Sequence, residues 1–320
     1  MAILQKYSPT TEEEKLYNFI SDYLQSANLF ALPQGQRTLI TLVLRKLLAS
    51  SSFAISGTLN SLIERLQLLL HGSDTQLEPG EDYDTFDELV EEQDDPDDLP
   101  CAIIEQDHAA IAEELRKLKE YAELAKSITR NAKGDNLLIA LQNGFDETEK
   151  RGGQRKAVIF TESRRTQEYL LRLLTDNGYE NSIVFLNGAN NDELSNQIYT
   201  KWKERHMNDG VISGSRQADM KAAIVEEFRD RASIFIGTEA AAEGINLQFC
   251  SLIVNFDLPW NPQRVEQRIG RCHRYGQKND VVVINFLNEK NAADVRVYQL
   301  LDQKFRLFSG LFGSSDEVLG

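Results

Sequence analysis

Leu252-Ile253-Val254-Asn255-Phe256, then Val265-Glu266-Gln267-Arg268-Ile269-Gly270-Arg271-Cys272-His273-Arg274-Tyr275-Gly276-Gln277, then Val281-Val282-Val283-Ile284: two short apolar runs enclose a polar one. In the polar run Gln267, Arg271 and Arg274 stand at i, i+4 and i+7, so a helix puts all three on one face. Asn261-Pro262 just upstream supplies a cap and a first-turn proline. Two guanidiniums a turn apart make a fork for phosphate oxygens. A lone arginine pair is ordinarily a solvated charged face. Here the context is strand, helix, strand, and an α/β fold gathers ligand groups at such loop ends.

Working outward, the same texture extends upstream. Lys156–Thr161, Ser182–Leu186, Ser233–Ile236, Leu252–Phe256 and Val281–Phe286 are at least five short apolar strands. Helical runs at Thr166–Leu174, Asp192 to about Arg205 and Met220–Phe228 lie among them, and 206–218 is a polar, glycine-bearing loop. Short apolar strands with helical crossovers specify a parallel sheet covered on both faces. The fold class expected is therefore α/β, a parallel sheet with an added N-terminal helical region.

The first half reads differently. Thr10-Thr11-Glu12-Glu13-Glu14 is a helix cap with acidic first-turn residues, followed by Leu16, Phe19, Ile20, Tyr23 and Leu24 at helical spacing. Gln36–Leu48 and Leu59–Leu70 repeat that pattern, so residues 1–71 form a helical region. Residues 72–104 are an acidic, proline-bearing linker. Residues 105–150 are a helical connection with Ala109, Ile111, Leu115, Leu118, Leu124 and Ile128 as its buried stripe. The α/β part then runs over 151–290, and 291–320 is a C-terminal amphipathic helix. The chain starts and stops abruptly, as a piece of a longer protein would.

Composition narrows the classes further. Of the net charge of −15, thirteen negative charges reside in residues 71–100, where there is no Lys or Arg; the remainder carries only −2. A polyanionic partner for that remainder is thus not excluded. Cys101, Cys250 and Cys272 are odd in number and widely spaced, and the four histidines do not pair with a second ligand, so neither a disulfide framework nor a metal site is expected. Cys272 and His273 are neighbours that point to different helix faces. No apolar run spans a membrane and no signal peptide opens the chain, so a reduced cytoplasmic protein without membrane contact is expected. Asp87-Glu88-Leu89-Val90 and Asp192-Glu193-Leu194-Ser195 share a metal-box string, but neither follows an apolar strand, and no metal role is assigned.

With these residues placed, residues 151–290 resemble the second RecA-like lobe of superfamily-two helicases and translocases, P-loop NTPase-type folds. The nearest likeness is to the Swi/Snf type and its bacterial RapA-like branch. Gly237-Thr238-Glu239-Ala240-Ala241-Ala242-Glu243-Gly244-Ile245-Asn246-Leu247 resembles motif V of that family. Asp257-Leu258-Pro259-Trp260-Asn261-Pro262 resembles the Swi/Snf connector, and Gln267–Gln277 resembles motif VI. Alanines stand in motif V where typical remodellers are richer in glycine, which favours the RapA-like branch.

The resemblance implies an ATP-dependent DNA translocase in which ATP and Mg2+ lie between two lobes. Arg274 would be the arginine finger and Arg271 its partner on the γ-phosphate. Gln267 would orient them, and Glu243 and Gly244 would lie near the ribose. Ser163, Gly188 and Thr238 would contact the nucleic-acid backbone, and Trp260 with Asn261 would couple the lobes. Blander readings stay open: Thr238 as a turn hydroxyl, Trp260 as a packing aromatic, Glu243 as a helix-start acid. The chain holds no G-x-x-x-x-G-K-[ST] and no credible acidic metal box, so half of such an ATP site is missing from it. The expected partners are an N-terminal helicase lobe of the same protein and DNA, read as double-stranded. The fragment by itself is expected to be inactive. The competing reading is a non-catalytic RecA-like scaffold that docks a protein. A dinucleotide-binding enzyme is disfavoured because no G-x-G-x-x-G follows any strand.

Overall fold

A computed structural model describes residues 1–26, 29–32, 37–71, 108–187, 190–238, 242–259, 261–273, 279–291, 295–296 and 298–300. The acidic linker and most of the expected C-terminal helix lie outside these residues.

The chain separates into two compact units. One comprises 1–8, 135–161 and 174–320; the other comprises 9–134 and 162–173. The first unit is built on strands β1 (Ala2–Tyr7), β2 (Ala157–Thr161), β3 (Ile183–Leu186), β4 (Ile234–Thr238), β5 (Leu252–Asn255) and β6 (Val282–Asn288). All pairings are parallel, in the order β1-β6-β5-β2-β4-β3. Every residue of β2, β4 and β5 is buried, as expected for strands covered on both faces. Strand β1 had no counterpart in the sequence reading. It pairs with β6 from Ala2↔Val283 to Tyr7↔Asn288 and stays half-exposed at the sheet edge.

The helices are α1 (Thr11–Gln25), α2 (Arg37–Ser50), α3 (Ser52–Leu70), α4 (His108–Ser127), α5 (Ala132–Lys150), α6 (Arg164–Leu174), α7 (Glu193–Arg205), α8 (Arg216–Asp230) and α9 (Pro262–Cys272). Helix α5 approaches the sheet closely at Gly144, where an added Cβ would lie 2.8 Å from Ile284 and 2.9 Å from Leu252. On β2, β4 and β5, Phe160, Phe235 and Ile253 pack with Trp202 of α7 and Ile224 and Phe228 of α8.

The second unit has its own core. Leu16, Ile20, Leu44, Ile55, Leu59, Leu66 and Leu118 are all buried in it. The expected cap at Thr10 is a complete capping box: Glu13 N–H donates to Thr10 Oγ1 at 3.2 Å, and Thr10 N–H donates to Glu13 Oε2 at 2.7 Å. The stripe expected over 105–150 needs two corrections. The helix breaks between Ser127 and Ala132, where Asn131 Oδ1 accepts the Gly134 N–H at 3.0 Å. Ala109 is exposed, whereas Glu114 is buried. Its carboxylate accepts from Tyr23 Oη at 2.6 Å, Phe30 N at 2.8 Å and Ala31 N at 3.1 Å. A carboxylate so saturated with donors is tolerated inside a core.

Helix α7 ends in a charged clasp. His206 hydrogen-bonds Asp209 through Nδ1 and Glu226 of α8 through Nε2, the latter at 2.9 Å. The hydrogen bond to Asp209 raises the His206 pKa, with Glu226 adding to the shift. The imidazolium is therefore the folded-state form. Its contribution is complete below the ordinary value of 6.5 and fades as pH rises through the raised one. His206→Gln should cost stability at pH near 6 and little near pH 9. Urea unfolding at both pH values checks this; an equal loss at each would contradict it.

Candidate nucleotide and nucleic-acid site

The carboxyl ends of the parallel strands carry the candidate groups, the place where open α/β sheets gather ligand chemistry. Helix α9 starts there as its sequence dictates. Asn261 caps it, its Oδ1 accepting the Gln263 N–H at 3.0 Å, and Pro262 occupies the first turn. At the other end the His273 N–H returns to the Ile269 carbonyl at 2.8 Å. The inner face buries Val265, Arg268 and Cys272, while Gln267 is exposed and Arg271 half-exposed. Gln267 and Arg271 thus share the outward side, one turn apart. Among the described residues no carboxylate pairs with Arg271 and no side-chain hydrogen bond engages it. Arg274 lies outside the described residues, as do Trp260 and Gly188.

The arginine that the sequence reading missed is Arg268. It is 2 % exposed. Its Nη1 donates to Asn255 Oδ1 at 3.0 Å and to the Asp257 carbonyl at 2.8 Å, and its guanidinium sits 5.1 Å from the Phe160 ring centroid. Asn255 Nδ2 in turn donates to Asn285 Oδ1 at 2.8 Å, and Thr161 Oγ1 donates to Asp257 Oδ2 at 2.7 Å. The ends of β2, β5 and β6 are thereby tied to α9 through buried polar groups. The available signal was an asparagine in each of two otherwise apolar strands, since a buried amide demands partners.

A second tie links α9 to the segment after β4. The Leu247 N–H donates to the Arg271 carbonyl at 3.0 Å. That segment carries Glu243 and Gly244, both exposed, with Gly244 at φ +78° in the left-handed region that glycine accepts without strain. The Glu243 carbonyl accepts from Lys221 Nζ at 3.2 Å. Cys272 is buried against Cys250, and their hydrogen bond together with burial pushes the Cys272 thiol well above its usual pKa, so it stays protonated. His273, its neighbour, is exposed, as expected from their opposite faces.

The expected backbone-contacting residues differ in state. Thr238 ends β4, is 2 % exposed, and its Oγ1 is buried with no partner among the described residues. Ser163, also 2 % exposed, lies in the other unit and begins α6: its carbonyl accepts the Gln167 N–H at 2.9 Å and its Oγ faces the Thr166 N–H at 3.5 Å. Asp192 of the discounted Asp-Glu string caps α7, accepting the Ser195 N–H at 2.7 Å.

Residues 165–276 match the helicase conserved C-terminal domain. The chain is 38 % identical over 164 residues to an uncharacterized ATP-dependent helicase, YqhH, of Bacillus subtilis, covering 51 % of this chain and 24 % of that protein. It is 42 % identical over 78 residues to the RNA polymerase-associated protein RapA of Vibrio cholerae, 24 % of this chain and 8 % of that one. Among solved structures, the Pyrococcus furiosus Hef helicase domain superposes with a TM-score of 0.50 at 14 % identity, over 93 % of this chain and 57 % of that one. That likeness bears on fold alone. The chain spans a quarter or less of the two named sequence relatives. Among the described residues no helix is long and apolar enough to cross a membrane.

Proposed function

We infer, from the match of residues 165–276 to the helicase conserved C-terminal domain, that this chain is the arginine-donating half of an ATP-driven, Swi/Snf-type motor moving on duplex DNA. The observation that carries this is Arg271. It stands on the outward face of a capped helix, uncompensated by any described carboxylate, while its neighbour Arg268 is sunk into the strand ends. Spending one guanidinium on anchorage and leaving another open is the arrangement a nucleotide phosphate would use.

In this reading Arg271 and Arg274 face the terminal phosphate of ATP held by a second lobe. ATP with Mg2+ supplies the phosphoryl group whose growing charge the guanidiniums offset. Gln267, on the same face as Arg271, orients that pair. Glu243 and Gly244 border the nucleotide from the segment held by Leu247 and Lys221. Thr238 offers a buried hydroxyl at a strand end, and an unpartnered hydroxyl costs about 1–3 kcal/mol until something satisfies it. A nucleic-acid phosphate is the partner proposed, with Ser163 and Gly188 as companion contacts. Such contacts follow the backbone and read no bases. Trp260 and Asn261 are proposed to couple the lobes, Asn261 by fixing where α9 begins. The likeness to YqhH, an uncharacterized ATP-dependent helicase, supports the nucleotide.

The test is ATP hydrolysis by the isolated chain and by a protein joining it to a lobe with a phosphate-cradling loop. The isolated chain should stay at background, and the two-lobe protein should be stimulated by duplex DNA. Clear hydrolysis by the isolated chain, unaltered by Arg271→Ala, would refute the reading.

A further inference from the structure

Among the described residues no hydrogen bond or ion pair engages the Arg271 guanidinium, so the main chain of α9 has to aim it. Arg271 stands next to last in that helix. The last carbonyls of a helix have no partner inside it, and helix ends open easily. Here one of them is held from outside: the Leu247 N–H donates to the Arg271 carbonyl at 3.0 Å. That bond is only as firm as Leu247. The Leu247 carbonyl in turn accepts the Cys250 N–H at 2.9 Å, which closes residues 247–250 into a tight turn.

The side chain of Cys250 anchors the turn. It is buried, and its Sγ lies 3.3 Å from the Lys156 carbonyl, just before β2, and 3.4 Å from the Leu252 carbonyl of β5. Cys272, the final residue of α9, meets the Cys250 thiol inside the same core. The turn is therefore gripped by the sheet on one side and by the end of the arginine helix on the other. A cysteine suits such a place: it is small, it packs as an apolar group, and its S–H is a weak donor to a carbonyl.

We propose that Cys250 is a positioning residue for Arg271: by pinning the 247–250 turn to the sheet it holds the Arg271 carbonyl, and with it the direction in which the guanidinium leaves α9. The inference rests on Arg271 facing the terminal phosphate of ATP, and adds to it a residue outside the motif V and motif VI stretches. Cys250 is buried away from any ligand, so its contribution passes through Arg271.

The experiment is steady-state ATP hydrolysis by the two-lobe protein. Cys250→Ala should lower kcat about tenfold, short of the roughly hundredfold that a displacement of about 1 Å can cost, and should leave the KM for ATP nearly unchanged. Cys250→Ser, whose hydroxyl still donates to the Lys156 carbonyl, should recover most of that loss. The double variant Cys250→Ala, Arg271→Ala should be no slower than Arg271→Ala alone, because the two residues act as a unit. Ile198→Val, a change on α7 in the same core, should keep wild-type kcat, which separates aim from a general loss of stability. Thermal melting identifies a Cys250→Ala protein that fails to fold; Cys272→Ala, which removes the thiol on the helix side, then carries the test with the same signature. Wild-type kcat in the folded cysteine variant, or a loss that multiplies with that of Arg271→Ala, overturns this inference while the reading of Arg271 stands. Near wild-type kcat in Arg271→Ala overturns both. A raised KM with unchanged kcat would place the turn in ATP binding and also overturn it.

Discussion

Arg271→Ala, placed in the two-lobe protein, is expected to lower kcat for ATP hydrolysis about a thousandfold or more, within the range an arginine finger contributes. The KM for ATP should change far less, because the charge that Arg271 meets grows mainly in the transition state. The fold should be spared. Arg271 is half-exposed, and its recorded tie to the rest of the lobe is its carbonyl, which accepts the Leu247 N–H at 3.0 Å and survives the substitution. Urea unfolding of the variant should therefore match wild type to within about 0.5 kcal/mol, as for a surface change. Arg271→Lys should restore little, since an ammonium keeps the charge and loses the planar fork. Steady-state kinetics with circular dichroism checks both halves; a variant with near wild-type kcat would remove Arg271 from the mechanism.

The reverse is expected three residues earlier. Arg268→Ala should destabilise the lobe by about 3–5 kcal/mol, because it strips two buried acceptors of their donor and opens a cavity. The acceptors are Asn255 Oδ1 and the Asp257 carbonyl, and the vacated space lies over Phe160. Burial leaves water no route to replace a side chain that is 2 % exposed. Asn255 would keep its Nδ2 bond to Asn285, and the Asp257 side chain its bond from the Thr161 hydroxyl, so the loss falls on the two acceptors. Chemical denaturation of the isolated chain measures the loss. A change under about 1 kcal/mol would mean that the network is loosely held.

These two arginines show what a sequence discloses and what it hides. Parallel strands buried on both faces read as unbroken apolar runs, so β2, β4 and β5 were legible, and so was the helix that lies between Leu252 and Ile284. The outward positions of Gln267 and Arg271 followed from helical spacing. Arg268 was not legible: between a glutamine and an isoleucine it resembles any surface arginine, and only Asn255 and Asn285 hint at its partners. Strand β1 was hidden for another reason. Ala-Ile-Leu-Gln-Lys-Tyr at a half-exposed edge has neither a continuous apolar run nor clean alternation. The break before Ala132 was hidden because the expected stripe runs up to Ile128 and no Gly or Pro stands between Ser127 and Ala132. Thr238 was placed at its strand end, but its enclosure came from packing, which no local pattern encodes.

The pairing of β1 with β6 has a consequence for biosynthesis. Met1 and Val281, joined by a hydrogen bond, are 280 positions apart. During synthesis 280 positions separate the two partners, so β1 must wait for that length of chain before the edge can close. Until then the opening segment travels without its sheet neighbour, and the central strands must hold together without it. Closure of this seam follows the pairing of the central strands, because β6 emerges after them.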